Sequence, residues 1–245
     1  MLRFYLLILV ALPLSTSLHQ GRKKPPPDCA KSEQFPKGRA DAFVNELNQR
    51  RRLMVEGLQK NGNTGKNLPT GENVAEVEWS CDLEKKAIDA LNPCPTESPS
   101  APNGTTGFFD NQDNGKNVDP MDLWLSEINN TSIVLHKHPE APVRCNGTNR
   151  NYCNLVRYDV SRIGCAEKQC NGKTSTFCLV NMPPLENDDV LYYWGKGACP
   201  RGSCRPPTEG CNPGTGLCFK PLPTTTTKKS VECHFSFLFS SCVEV

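Results

Sequence analysis

The sequence is poor in the groups that most enzyme chemistry relies on. Of its 245 residues only four are histidine (His19, His136, His138 and His234), and aromatic residues make up 7%. No Gly-x-Ser-x-Gly elbow occurs, which removes the usual setting for an activated serine. The net charge is +2 and no basic stripe runs along the chain, so neither nucleic acid nor an anionic membrane is indicated as a partner. Beyond the N-terminus no apolar run approaches the roughly 20 residues that a membrane-crossing helix needs.

Cysteine, proline and glycine are abundant instead, at 14, 21 and 18 residues. The first 17 residues, MLRFYLLILVALPLSTS, carry one Arg, an apolar run from Phe4 to Leu14, and small residues at Ser15 and Ser17. That is the pattern of a cleaved signal peptide. An even number of cysteines behind such a segment reads as a disulfide framework and not as a thiol enzyme. The candidates are Cys29, Cys81, Cys94, Cys145, Cys153, Cys165, Cys170, Cys178, Cys199, Cys204, Cys211, Cys218, Cys233 and Cys242. Glycosylation sequons at Asn103, Asn129, Asn130 and Asn146 fit the same secreted setting and require those segments to face solvent.

A basic, proline-rich leader occupies residues 18–35. Phe43, Leu47, Met54 and Leu58 then recur at helical spacing, which predicts a helix between Asp41 and Leu58 with Arg50, Arg51 and Arg52 turned mostly outward. After a Gly/Asn loop, a second helix starts near Ser80, with Leu83, Ala87, Ile88 and Leu91 inward. Cys81 and Cys94 flank it; on one helix they would stand about 20 Å apart, beyond the reach of a disulfide, so each is expected to tie one helix end to another element. Asp119-Pro120 offers an N-cap and a first-turn proline before a third helix, MDLWLSEI. Leu155–Val160 and Phe177–Val180 read as strands.

Helices early and strands late indicate an α+β layer arrangement. From Gly195 to Cys218 four cysteines stand among almost no apolar residues, so disulfides are expected to hold that unit together. A Thr-rich linker and a short apolar tail with Cys233 and Cys242 make up residues 223–245.

Several short motifs recur in a fixed order. Leu47-Asn48-Gln49-Arg50-Arg51 parallels H-N-x-x-R, and Trp79-Ser80-Cys81-Asp82-Leu83-Glu84 parallels W-D-C-D-L-E. Cys94 with Glu97-Ser98 parallels C-x-x-H-S, and Trp124-Leu125-Ser126-Glu127 parallels W-W-x-E. Tyr152, Leu155-Val156 and Ile163-Gly164-Cys165-Ala166 parallel H-Y-T-Q-L-V-W followed by I-G-C-A. Together with the four-cysteine unit ending at Cys218, this order resembles the nematode venom-allergen-like (ancylostoma-secreted-protein-like) members of the cysteine-rich secretory, antigen 5 and pathogenesis-related-1 (CAP) superfamily. The resemblance covers about residues 36–222. It implies an α-β-α sandwich over residues 36–185 and a cysteine-rich hinge over 186–222.

In typical members two His and two Glu converge in a central cleft and can hold a divalent metal, usually zinc. Carried over by position, the first His falls on Glu97 and the second on Asn151. The first Glu falls on Phe108, because Gly107-Phe108-Phe109 begins ten residues after Glu97, and the second is retained as Glu127. Gly71-Glu72-Asn73 spells the family's G-E-N but lies before Trp79, in the wrong place. Two carboxylates and an amide are too poor in imidazole for zinc; a hydrated, hydrogen-bonded pocket is expected, with weak calcium binding as the lesser alternative.

Phe108-Phe109 either fills the core or offers an apolar contact. His136 and His138 read as part of an exposed loop, since His138 precedes Pro139 and no acidic or cysteine partner is fixed nearby. Cys145 and Cys153 are close enough in sequence for a local disulfide. No cofactor is expected. The resemblance implies a secreted, glycosylated, non-enzymatic protein that acts through its surface on a host receptor, cell or plasma protein. A sterol or fatty-acid carrier is the alternative, and a hydrolase using Glu97 and Glu127 stands third.

Overall fold

The computed structural model describes residues 22–29, 31–113, 118–136, 138, 140–223, 231–236 and 239–244. The signal segment, the start of the leader and residues 224–230 of the linker lie outside these, as do the side chains of Cys233 and Cys242. Helix α1 (Lys37–Val55) buries Phe43, Leu47 and Met54. It starts earlier than its apolar spacing predicts and ends three residues sooner, because Gly57 takes a left-handed conformation (φ 70°). Leu58 N–H then reaches back to Leu53 O and Gly57 N–H to Met54 O, a Schellman ending that turns Leu58 out to 56% exposure.

The outward placement of the three arginines is corrected at Arg51, which is fully buried. Its guanidinium donates to the carbonyls of Ala75 (3.0 Å), Leu155 (2.8 Å) and Val160 (2.8 Å). One turn earlier, Asn48 brackets Val77, its amide donating to the carbonyl (2.8 Å) and accepting from the N–H (2.9 Å). Both polar members of the Asn-x-x-Arg pattern thus act as clamps on backbone outside the paired strands of the main sheet.

After β1 (Gly71–Glu72) and β2 (Glu78–Trp79), Ser80 caps α2 (Cys81–Leu91) by accepting from the Leu83 N–H at 3.4 Å. Strand β3 (Thr106–Asp113) precedes α3 (Pro120–Leu125), whose cap Asp119 accepts from the Met121 N–H at 2.8 Å. The single helix predicted here is broken at Ser126, and α4 (Glu127–Asn130) follows. Then come β4 (Val143–Arg144), α5 (Arg150–Val156), β5 (Arg162–Cys170), β6 (Lys173–Val180) and β7 (Val190–Trp194).

Leu155–Val160 is therefore not a strand. Leu155 and Val156 finish α5, and the strand begins at Arg162. A short apolar run buried on every side carries no period that separates helix from strand, and tertiary contacts decide.

The main sheet has the order β2-β5-β6-β3, parallel between β2 and β5 and antiparallel elsewhere. Asn171-Gly172, both with positive φ, join β5 to β6 in a two-residue hairpin, the chemistry such turns favour. Leu83, Ala87 and Leu91 of α2 pack on one face, against Ala166, Phe177 and Leu179. The opposite face packs Phe108, Ile163 and Val180 with α1, α3, α4 and α5. This is an α-β-α sandwich. Gly164 allows the close approach of α2, since a Cβ there would lie 2.3 Å from the Glu84 nitrogen.

Cys29–Cys81 and Cys94–Cys170 hold α2 at its two ends, Cys165–Cys178 joins paired residues of β5 and β6, and Cys145–Cys153 closes a local loop. A second sheet has the order β1-β7-β4, so the chain enters its cysteine-rich unit through a paired strand. That unit carries the hairpin β8 (Gly210–Asn212) and β9 (Leu217–Phe219), with disulfides Cys199–Cys211 and Cys204–Cys218. Disulfides do not hold it alone, contrary to the expectation from its composition. Leu217 and Ala198 enter the main core, and Cys218 exchanges backbone hydrogen bonds with Val74 and Glu76. The Glu72 carboxylate, 7% exposed, accepts from Arg205 and from the Ser203 N–H. A hairpin of β10 (Val231–Ser236) and β11 (Phe239–Glu244) sets Cys233 opposite Cys242.

Candidate functional site

The four positions that the resemblance expects in a cleft do not all converge. Glu97 is exposed in the loop between α2 and β3 and takes part in none of the hydrogen bonds that link the others. Phe108 on β3 is 1% exposed, with its ring 5.6 Å from that of Trp124. Of the two roles open to it, that burial selects core filling. Phe109 points to the α2 side, 6.4 Å from Phe177.

Glu127 and Asn151 do meet. One Glu127 oxygen accepts from the N–H groups of Asn151 (2.8 Å) and Tyr152 (3.1 Å), and the other from the Asn151 side-chain amide (2.7 Å). These backbone donors belong to the first turn of α5, whose own cap residue Asn149 makes no side-chain capping bond. Glu127 therefore supplies the cap, with its negative charge at the positive end of the helix. Nothing local to α5 marks this, because Glu127 lies 24 residues away in the sequence.

An acidic pair went unread in the sequence. Glu46 on α1 shares a hydrogen bond with Asp122 on α3, and its carboxyl is pushed up to about 7. Burial is the first cause; the Asp122 and Asp119 carboxylates add to it, and Arg50 opposes. The position of Glu46 beside Leu47, at the edge of the buried stripe, is its only local signal. A carboxyl raised in the folded state stabilises at low pH, and that contribution is lost as pH rises through 7. Glu46→Gln should accordingly raise Tm at pH 8 and leave it nearly unchanged at pH 4, as measured by thermal unfolding at both values.

His136 and His138 are both exposed and line a groove of about 430 Å3 with Pro69, Pro142 and Trp194. The His138 Nδ1 accepts from the Glu140 N–H at 3.4 Å. Among the described residues, the groups of three potential metal ligands that converge are Cys199, Cys204 and Cys218, and Cys29, Cys81 and Glu84. Every sulfur in them is held in a disulfide. Asn103, Asn129 and Asn130 are exposed. Asn146 is half-buried in the loop closed by Cys145–Cys153, and its carbonyl accepts from the Thr148 hydroxyl at 3.3 Å.

A sheet covered on one face by α2 and on the other by α1, α3, α4 and α5, with the Asn48 and Arg51 clamps, defines the class of protein. The cysteine-rich secretory protein family (CAP) matches residues 44–192, more than half of the chain, and the chain belongs to that family. It is 27% identical over 192 residues to the Ancylostoma secreted protein of Ancylostoma caninum, covering 73% of this chain and 42% of that one. It is 26% identical over 125 residues to hookworm platelet inhibitor 1 of the same organism, covering 51% and 59%. The chain thus spans 42% and 59% of the length of these two relatives. The fold is that of BmVAL-1, with a TM-score of 0.63 and 21% identity over 79% of this chain and 99% of that structure. Among the described residues, no helix is long and apolar enough to cross a membrane.

Proposed function

We propose that this chain is a secreted, glycosylated, non-enzymatic CAP protein that acts by surface binding to host cells or extracellular proteins, in immune or haemostatic modulation. The observation that carries this reading is the use of Glu127. Zinc needs at least three protein donors. Of the cleft positions, Glu127 spends its oxygens capping α5, Asn151 spends its amide on Glu127, Phe108 is apolar core, and Glu97 stands apart in solvent. This set does not fit zinc, and no step is assigned to a metal. Six disulfides among the described residues support an oxidising, extracellular setting. The kinship with a protein named as a platelet inhibitor supports a host-directed role.

The test is capture from platelets, leukocytes and plasma with oxidised, glycosylated protein, in the presence of zinc and of a chelator. Capture of one partner equally in both conditions is expected, together with no rise in Tm on adding zinc. Zinc-dependent capture, or turnover in protease and esterase panels, would sink the proposal.

A further inference from the structure

The leader crosses the seam between the sandwich and the cysteine-rich unit. The Leu222 N–H donates to Lys23 O at 3.2 Å, Arg22 pairs with Glu209, and Asp28 pairs with Arg162 at 2.7 Å. Between these contacts the Lys24 ammonium lies 2.6 Å from Glu76 and 2.7 Å from Glu78. Those carboxylate side chains are only 7% and 14% exposed. Glu76 also accepts from the Asn212 amide (2.9 Å), and Glu78 from Arg162 (2.7 Å). Beside the pair lies a cavity of about 450 Å3, whose apolar walls include Pro25, Pro207, Phe219 and Leu222.

Two carboxylates that touch one ammonium stand close to each other. Among the described residues Lys24 is the one cation paired with Glu76. Without it, Glu76 would keep no cation and Glu78 only Arg162, two like charges in a largely dehydrated seam, a cost that draws in a replacement cation. The balance at Lys24 shows the fit. Burial works against its charge, yet the hydrogen bonds to Glu76 and Glu78 outweigh burial and raise its pKa.

A compact ammonium suits the gap between two carboxylates better than a planar guanidinium does. The residue after it, Pro25, opens a Pro-Pro-Pro run whose extended conformation is preset, and it stands at the cavity as part of the lining. Charge and apolar contact therefore select neighbouring residues of the same segment.

We propose that Glu76, Glu78 and the adjoining cavity form a recognition site for a lysine–proline segment, whose charged end the chain's own leader occupies in cis through Lys24 while Pro25 borders the open cavity. The leader is an exchangeable occupant of this site, and a segment of the same chemistry binds where the leader is withdrawn. A fluorescent Arg-Lys-Lys-Pro-Pro-Pro peptide, followed by anisotropy, tests this on three proteins: the full chain, a chain beginning at Pro25, and full-length Lys24→Gln. The two altered chains should bind the peptide and the full chain should not. Binding should weaken at least several-fold between about 50 and 500 mM salt, as screening requires. Glu78→Gln in the Lys24→Gln background should abolish it, as should Gln in place of the lysine before the first proline of the peptide. Equal binding by all three proteins would overturn the proposal, as would no binding by either altered chain when circular dichroism shows both folded. Loss of fold in both would also overturn it, since Lys24 would then be a fixed structural pair.

Discussion

Arg51→Leu should lower Tm by at least about 6 °C, or prevent folding altogether. The substitution keeps apolar bulk but leaves the carbonyls of Ala75, Leu155 and Val160 buried without their donor. Each such group costs about 1–3 kcal/mol, and one kcal/mol is worth about 2–4 °C in a chain of this size. Burial pushes the guanidinium down to about 9, with Asp159 opposing, so it is charged at neutral pH and its three bonds are charge-assisted. Arg51→Lys should recover only part of the loss, because an ammonium cannot span three carbonyls in the same fork. Arg52→Leu is the control. That side chain is exposed, so its removal should cost under about 1 kcal/mol. Equal effects at the two positions would contradict the clamp assigned to Arg51.

Glu84→Ala should be nearly as damaging, and its effect should be concentrated in the leader. The fully buried carboxylate accepts from the Trp79 indole (2.8 Å) and from the N–H groups of Glu33 (3.0 Å), Gln34 (2.9 Å) and Phe35 (2.8 Å). It thereby seats Phe35, whose ring stacks on Trp79 at 5.4 Å and meets Phe43 at the same distance. Losing the acceptor leaves the buried Trp79 and Phe35 donors facing a void, about 2–6 kcal/mol by the same reckoning, while the N–H groups of Glu33 and Gln34 lie nearer solvent. Hydrogen exchange should rise first at residues 31–35, while Cys29–Cys81 keeps the segment attached.

The pH dependence at Glu84 has a definite sign. Burial alone would raise the carboxyl, but its bonds from Trp79, Phe35, Gln34 and Glu33 outweigh burial and hold it below the usual carboxylate range. A depressed carboxyl contributes stability that is complete above its unfolded pKa and is lost as pH falls through the folded value. The gap in Tm between wild type and Glu84→Ala should therefore stay constant from pH 7 to pH 5 and narrow in strong acid. A gap that narrows towards pH 7 would refute this account.

Much of the architecture is legible along the chain because its signals are local. The apolar stripe of α1, the helix start near Ser80, the Asp119 cap, the cysteine count and the order of the motifs each involve residues within a few turns of one another. The separation of Cys81 from Cys94 along one helix is enough to send each to a distant partner. The sequence resemblance singled out Phe108, Glu127 and Asn151 by residue type. What those side chains do was not legible, since Glu127 could equally have faced a ligand.

Long-range contact decided the rest. Three consecutive arginines on one helix look alike in sequence, and Arg51 alone goes inside because its acceptors lie 24, 104 and 109 residues away. The run at Leu155 becomes helix because a carboxylate from α4 satisfies the first amides of α5. The cysteine-rich unit joins the core through Leu217 and the Glu72 carboxylate although its own composition is core-poor. Periodicity, caps and cysteine pairs are properties of the chain near itself, and composition bounds what they can build. The fate of a buried polar group depends on which distant carbonyl or amide the fold delivers to it, and the cost of leaving that group unpaired makes the tertiary structure choose.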